Sequence, residues 1–198
     1  MTSAVGVVVP AHDEEELLPR CLAALRKATA NLAARPAPPR VHVVVVLARA
    51  VGMRHLLDLE AELVPERLWL ATTDADSAVP PHWLTRQVDL AACGADAVVG
   101  TVDVHPEDGA DRHLVRRWAS RYMVGNPHPH AHGANLGVTA ARYLAVGGFP
   151  PLPSGEDVAF VTALGQRGVA RERDLAVRTS PRRHSRAPSG FAGTLAAI

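Results

Sequence analysis

Four short, nearly uninterrupted apolar runs constrain this chain more than any other feature. They are Ala4 to Val9, Val41 to Leu47, Leu68 to Ala71 and Ala97 to Val104. A strand that shows a polar face alternates, whereas one covered by helices on both faces reads as a continuous apolar block. Helical spacing separates the runs. Leu17, Leu18, Cys21, Leu22 and Leu25 follow the first, and Trp83, Leu84, Val88 and Leu90 follow the third. This alternation predicts an α/β fold whose sheet lies between helical layers. At 198 residues, one domain spanning 1–198 is expected.

The second unit breaks the pattern. Ala48 to Leu63 has helical composition, with Val51, Leu56, Leu59 and Leu63 as core candidates, yet it follows the strand with no Gly, Asp or Ser between. A segment missing between residues 47 and 48 is the favoured reading, and a strongly shortened unit is the alternative. Further on, Asp111 to Met123 reads as an amphipathic helix carrying Arg112, Arg116, Arg117 and Arg121. Thr139 suits the cap of a short helix, and Ser154-Gly-Glu-Asp157 opens another with Val158, Phe160, Val161 and Leu164 as its buried stripe. Val169 to Thr179 supplies a final strand or two.

Charge and composition exclude some functions. With 21 Lys plus Arg against 20 Asp plus Glu, the chain lacks the basic excess of a nucleic-acid binder. Cys21 and Cys93 cannot form a four-cysteine zinc site and read as buried free thiols. No stretch reaches the roughly 18 apolar residues of a transmembrane helix, and no signal peptide is legible. A cytoplasmic location is the simplest expectation, with peripheral contact at the inner face of the membrane as its variant.

Chemistry concentrates where the strands end. Leu68 to Ala71 delivers Asp74 and Asp76 just beyond a strand, two residues apart, so both carboxylates can approach one hard cation and leave positions for phosphate oxygens. A solvated turn is the alternative. Asp13 to Glu16 occupy the corresponding place after the first strand, where open α/β sheets bind ligands, although Asp13 also suits a helix cap. Glu156 and Asp157 sit in a first helical turn. Arg182, Arg183, His184 and Arg186 form a basic tail able to neutralise a diphosphate.

Four blocks and the tail together resemble family-two glycosyltransferases with the A-type nucleotide-sugar-binding fold, closest in appearance to actinobacterial members. The blocks are Val7-Val-Val-Pro-Ala-His-Asp-Glu-Glu15, Thr73-Asp-Ala-Asp-Ser77, His132-Gly-Ala-Asn-Leu-Gly137 with Gly147-Gly-Phe149, and Gly155-Glu-Asp-Val158. The resemblance implies a three-layer, Rossmann-like α/β fold with a mainly parallel mixed sheet, with a nucleotide-binding part over about 1–104 and an acceptor-side part over about 105–198. It implies nucleotide contacts at Pro10, Asp13, Glu14 and Asp74, and phosphate contacts at Arg182, Arg183 and Arg186. Mg²⁺ or Mn²⁺ would be held by Asp76 and Asp74, with His184 as a further ligand. Acceptor contacts would fall on His132, Asn135 and Glu156, with Asp157 as catalytic base. Relatives insert a further helix and strand after the second strand, which strengthens the missing-segment reading.

The implied activity moves a sugar from a nucleoside diphosphate sugar to the hydroxyl of a small-molecule, glycan or lipid-linked acceptor, with inversion. Three rivals differ in what they require. A haloacid-dehalogenase-like phosphatase needs a lysine after its Asp-x-Asp, but the only lysine, Lys27, precedes it. A sugar nucleotidyltransferase needs a Gly-rich basic N-terminal loop where Pro10-Ala-His-Asp13 stands. A noncatalytic domain would bind metal and donor without turnover. No periodic seam in the sequence defines an oligomeric state.

Overall fold

A computed structural model describes residues 1–122 and 130–181. Six strands form one sheet in the order β2-β1-β3-β5-β4-β6. They are β1 (Ala4–Pro10), β2 (Arg40–Val46), β3 (Leu68–Thr72), β4 (Ala97–Asp103), β5 (Leu136–Thr139) and β6 (Val169–Arg178). β1 runs parallel to β2 and β3, and β4 parallel to β6. β5 is inserted antiparallel to both β3 and β4, which makes the sheet mixed.

Six α-helices complete the described structure: α1 (Leu18–Ala33), α2 (Arg49–Leu59), α3 (Trp83–Ala92), α4 (Arg112–Tyr122), α5 (Ala140–Ala145) and α6 (Glu156–Leu164). Alternation along β1 divides the core in two. Val5, Val7 and Val9 pack with Cys21, Leu25, Leu32, Trp83 and Leu84 of α1 and α3. Ala4 and Val8 pack on the other side with Met53 and Leu56 of α2, and with Tyr143 and Phe160 of α5 and α6. This is the three-layer α/β arrangement that the apolar runs predict. Gly6 permits the close approach of α2, because a Cβ there would lie 2.5 Å from Leu56 Cδ1.

Three expectations need correction. The apolar run Val41 to Leu47 predicts a buried strand, but β2 is an edge strand paired only with β1, leaving Val43 40% and Val45 44% exposed. An apolar run does not by itself distinguish an edge from a centre. The β2–α2 connection consists of Leu47 and Ala48 alone. That abrupt turn sets the phase of α2, so the stripe facing inward is Arg49, Gly52, Met53 and Leu56. Val51 and Leu59 of the expected stripe are 60% and 51% exposed. On α6, Val158 points to solvent while Phe160, Val161 and Leu164 are buried.

Other local chemistry follows the sequence. Thr139 caps α5, its hydroxyl accepting from the Arg142 N–H at 3.2 Å. Asp111 does the same before α4, accepting from the His113 N–H at 2.5 Å. Arg112, Arg116 and Arg117 are exposed there. Asp13 does not cap α1, whose preceding residue is Leu17; it instead adopts a left-handed φ of 51° in the loop after β1. Cys21 is buried, but Cys93 is exposed at the end of α3. No helix among the described residues is long and apolar enough to cross a membrane.

Candidate active site

A cavity of about 590 Å³ opens at the C-terminal ends of β1 and β3, bounded by the β2–α2 connection, residues 131–134, the loop 149–155 and the first turn of α6. Parallel strands in α/β sheets place ligand sites at this end. Pro10, Asp74, His132, Glu156 and Asp157 all line it.

Arg49 organises the floor. It is the first residue of α2 and only 8% exposed. Its Nη2 donates to Asp74 Oδ1 at 2.6 Å, its Nε to Thr72 Oγ1 at 2.9 Å, and its Nη1 to Glu156 Oε1. The guanidinium also lies over the Phe149 ring, 5.4 Å from its centroid. A fixed fork of five donors can satisfy several oxygens at once, which lysine cannot do. Gly133 fits against this fork, since a Cβ there would stand 2.3 Å from Arg49 Nη2. One cation therefore joins the turn after β3 to the start of α6.

The acidic groups feel one another. Burial pushes the Asp74 carboxyl up to about 6; the Arg49 charge opposes this, and Asp76, Asp157 and Glu156 reinforce it. Asp76 is held differently, accepting from Ser77 Oγ at 3.2 Å and from Thr179 Oγ1 at 3.4 Å. Ser77 Oγ also lies 3.0 Å from Thr179 Oγ1, within hydrogen-bond distance, which ties the Asp turn to the end of β6. Asp157 Oδ2 accepts the Gly133 N–H at 2.8 Å, so a backbone donor orients this carboxylate in the cavity wall. Gly155, with φ 74°, makes the sharp entrance to α6 that leaves Glu156 and Asp157 side by side.

Asn135 is corrected as an acceptor contact. It is completely buried, lies outside the cavity lining, and bridges three core groups. Its Nδ2 donates to the carbonyls of Thr101 and Leu175, and its Oδ1 accepts from Trp83 Nε1 at 2.8 Å. Gly100 makes room for it, because a Cβ there would meet Asn135 Nδ2 at 2.2 Å. Asp13 and Glu14 lie in the loop beyond Pro10 and are not part of the cavity wall. Arg182, Arg183, His184 and Arg186 fall outside the described residues.

Arg49 and Thr179 are cavity residues with no role in the sequence motifs, and Phe149 enters those motifs only as the end of the Gly147-Gly-Phe149 block. A usable signal for Arg49 existed: positions 49, 52, 53 and 56 form an i, i+3, i+4, i+7 stripe, and the arginine at its head must then face inward.

Among the described residues, no three His, Cys, Asp or Glu side chains gather into a group able to hold a metal. The donors at the Asp turn are nevertheless all oxygen, with two carboxylates and the hydroxyls of Ser77 and Thr179 about them. Such a set fits Mg²⁺ or Mn²⁺ when a bound diphosphate supplies further oxygens, because these ions take one or two carboxylates alongside substrate phosphates.

Comparison with known proteins follows the same lines. The family described as Glycosyl transferase family 2 matches residues 61–144, a span that includes Asp74 and Asp76. No curated protein matches the sequence. Among solved structures, S. aureus TarS 1-349 in complex with UDP-GlcNAc is similar, with TM-score 0.59 and 14% identity over 96% of this chain and 62% of that one. The mannosyltransferase PcManGT from Pyrobaculum calidifontis, in complex with GDP-Man and Mn²⁺, is similar with TM-score 0.59 and 17% identity, covering 98% of this chain and 68% of that one. The chain thus spans 62% of the TarS fragment's length. These likenesses identify the fold as A-type glycosyltransferase-like, an α/β fold with a mixed, mainly parallel sheet.

Proposed function

We propose that this chain is an inverting glycosyltransferase that moves a sugar from a nucleoside diphosphate sugar to an acceptor hydroxyl with the help of a divalent cation. The observation that carries the reading is the shared hold of Arg49 on Asp74 and Glu156, which brings a diphosphate-side carboxylate and the residue next to Asp157 to one floor. The match of residues 61–144 to a glycosyltransferase family supports it, as does the fold shared with two proteins whose complexes contain nucleotide sugars.

In this reading the part over about 1–104 binds the nucleotide, through Pro10, Asp13, Glu14 and Asp74, and the part over about 105–198 binds the acceptor. Asp76 and Asp74 would hold Mg²⁺ or Mn²⁺, which stabilises charge developing on the departing diphosphate. His184 is a further candidate ligand, and Arg182, Arg183 and Arg186 are candidate phosphate contacts. Asp157 accepts the proton of the acceptor hydroxyl as its oxygen forms a bond to the anomeric carbon, while the bond from that carbon to the diphosphate oxygen breaks. Attack from the side opposite the leaving group inverts the centre. The Gly133 N–H orients Asp157 for this step, and His132, in the cavity lining, is a candidate acceptor contact. Glu156 holds Arg49, which ties base and donor turn together. The donor is taken up from the cytoplasm, with the enzyme free there or resting against the inner face of the membrane.

The test is a nucleotide-sugar panel, including UDP-GlcNAc and GDP-Man, incubated with Mn²⁺ and cell-extract acceptors and read by mass for transferred sugar. Transfer by wild type and its loss in Asp157→Asn, with donor binding retained, is the expected result. Equal turnover by both proteins removes Asp157 from the base role.

A further inference from the structure

Beside its polar groups, the cavity has a stretch of aliphatic wall. Leu47, Leu152 and Val158 are 79%, 48% and 55% exposed, although folded proteins seldom group large aliphatic side chains in water without a purpose. All three line the same cavity as Asp157. They come from separate segments, the β2–α2 connection, the loop before α6 and the outer face of α6, so chance along the sequence does not group them. Prolines 150, 151 and 153 restrict the backbone of the loop that carries Leu152, so the wall is held in shape before anything binds.

Resting on the proposed function, we infer that the acceptor is an amphiphile: a hydroxyl that reaches Asp157, carried by an apolar chain that covers Leu47, Leu152 and Val158. The wall is continuous with the reacting site, and this continuity assigns it to the acceptor rather than to a protein partner. Burying a methylene from water gains a factor of about three to four in affinity when the contact is complete.

A series of primary alcohols of rising chain length tests this, with calorimetric binding measured without donor and transfer measured with donor and Mn²⁺. Affinity should rise by about threefold per added methylene until the wall is covered. Leu152→Ser and Val158→Ser, both at exposed positions, should flatten the series and weaken binding of the longest alcohol about tenfold. An equal melting temperature would show that the fold is intact. A flat series in wild type overturns the inference, as does a slope that both variants retain. A concentration-dependent dimer abolished by Leu152→Ser, together with a flat series, would give the wall to a second copy of the chain and also overturn it. Donor binding by the same samples separates this failure from that of the transferase reading, which falls only if the donor does not bind or no sugar moves.

Discussion

Arg49 Nη2 stands 2.6 Å from Asp74 Oδ1, and the same guanidinium reaches Glu156, so the turn after β3 and the start of α6 share one buried cation. Loss of this cation leaves two neighbouring carboxylates facing one another with Thr72 unpaired. Both carboxylates keep some contact with water, which moderates the cost. Arg49→Met is therefore expected to lower unfolding stability by about 2–3 kcal/mol, measured by urea denaturation at pH 7. Arg49→Lys should recover only part of this, because an ammonium lacks the fork that serves three oxygens. A loss below about 0.5 kcal/mol in Arg49→Met, within the range of ordinary surface changes, would show that the ion pairs are incidental.

Asn135 joins β4, β6 and α3 through a single amide. Asn135→Ala would leave two carbonyls and the Trp83 indole N–H buried without that partner, at a cost of about 3 kcal/mol or more. Asn135→Asp should be no better, since a carboxylate cannot donate to the Thr101 and Leu175 carbonyls. Thermal unfolding of both variants checks the ordering; a melting temperature near wild type for either one contradicts the hub role.

The two cysteines should separate cleanly by reactivity. Cys21 is buried beside the Asp turn, its Sγ donating to the Asp74 carbonyl at 3.4 Å, and burial together with the Asp74 and Asp76 charges pushes its thiol up to about 12. The thiolate is the reactive form, so Cys21 should resist alkylation while exposed Cys93 reacts at once. Mass-detected labelling in the native state should give one adduct, at Cys93, and two after denaturation. Rapid native labelling of Cys21 would contradict its burial.

At the far end of β2, Glu60 accepts from Arg40 at 2.6 Å and pairs with His42 at 2.8 Å. The hydrogen bond from Arg40 leads in holding its carboxyl below the usual range, against burial and with help from His42. A carboxyl depressed in the folded state binds its proton more readily when unfolded. Its contribution is therefore present above the ordinary carboxylate value and lost as pH falls through the folded value. Glu60→Gln should reduce the loss of stability between pH 7 and pH 3, read as the shift in urea midpoint. An identical shift in wild type and Glu60→Gln would remove Glu60 from the acid response.

Much of this architecture was legible because long-range burial leaves a strong local trace. β1, β3 and β4 are covered on both faces and read as nearly unbroken apolar runs, and strand ends then mark where Asp74 and Asp76 emerge. β2 looked the same and is an edge, since an apolar run carries no record of how many neighbours a strand has. The phase of α2 depended on a two-residue connection, and with it went the inward course of Arg49. Asn135 sits in a block of small residues that suggests a ligand contact, but its amide faces core carbonyls on β4 and β6, 34 and 40 residues away along the chain. Side chains whose partners lie far along the chain, as Glu156 and Thr179 do, leave no spacing to read.

The account rests on a diphosphate and a divalent cation meeting at the Asp74–Asp76 turn. The most direct measurement is calorimetric titration of nucleoside diphosphates with and without Mn²⁺, in wild type and Asp76→Ala. Wild type should bind one nucleoside diphosphate at least tenfold more tightly with Mn²⁺ (about 1.4 kcal/mol of coupling), and Asp76→Ala should lose that coupling. Affinity indifferent to Mn²⁺ in wild type, or coupling undiminished in Asp76→Ala, would contradict it.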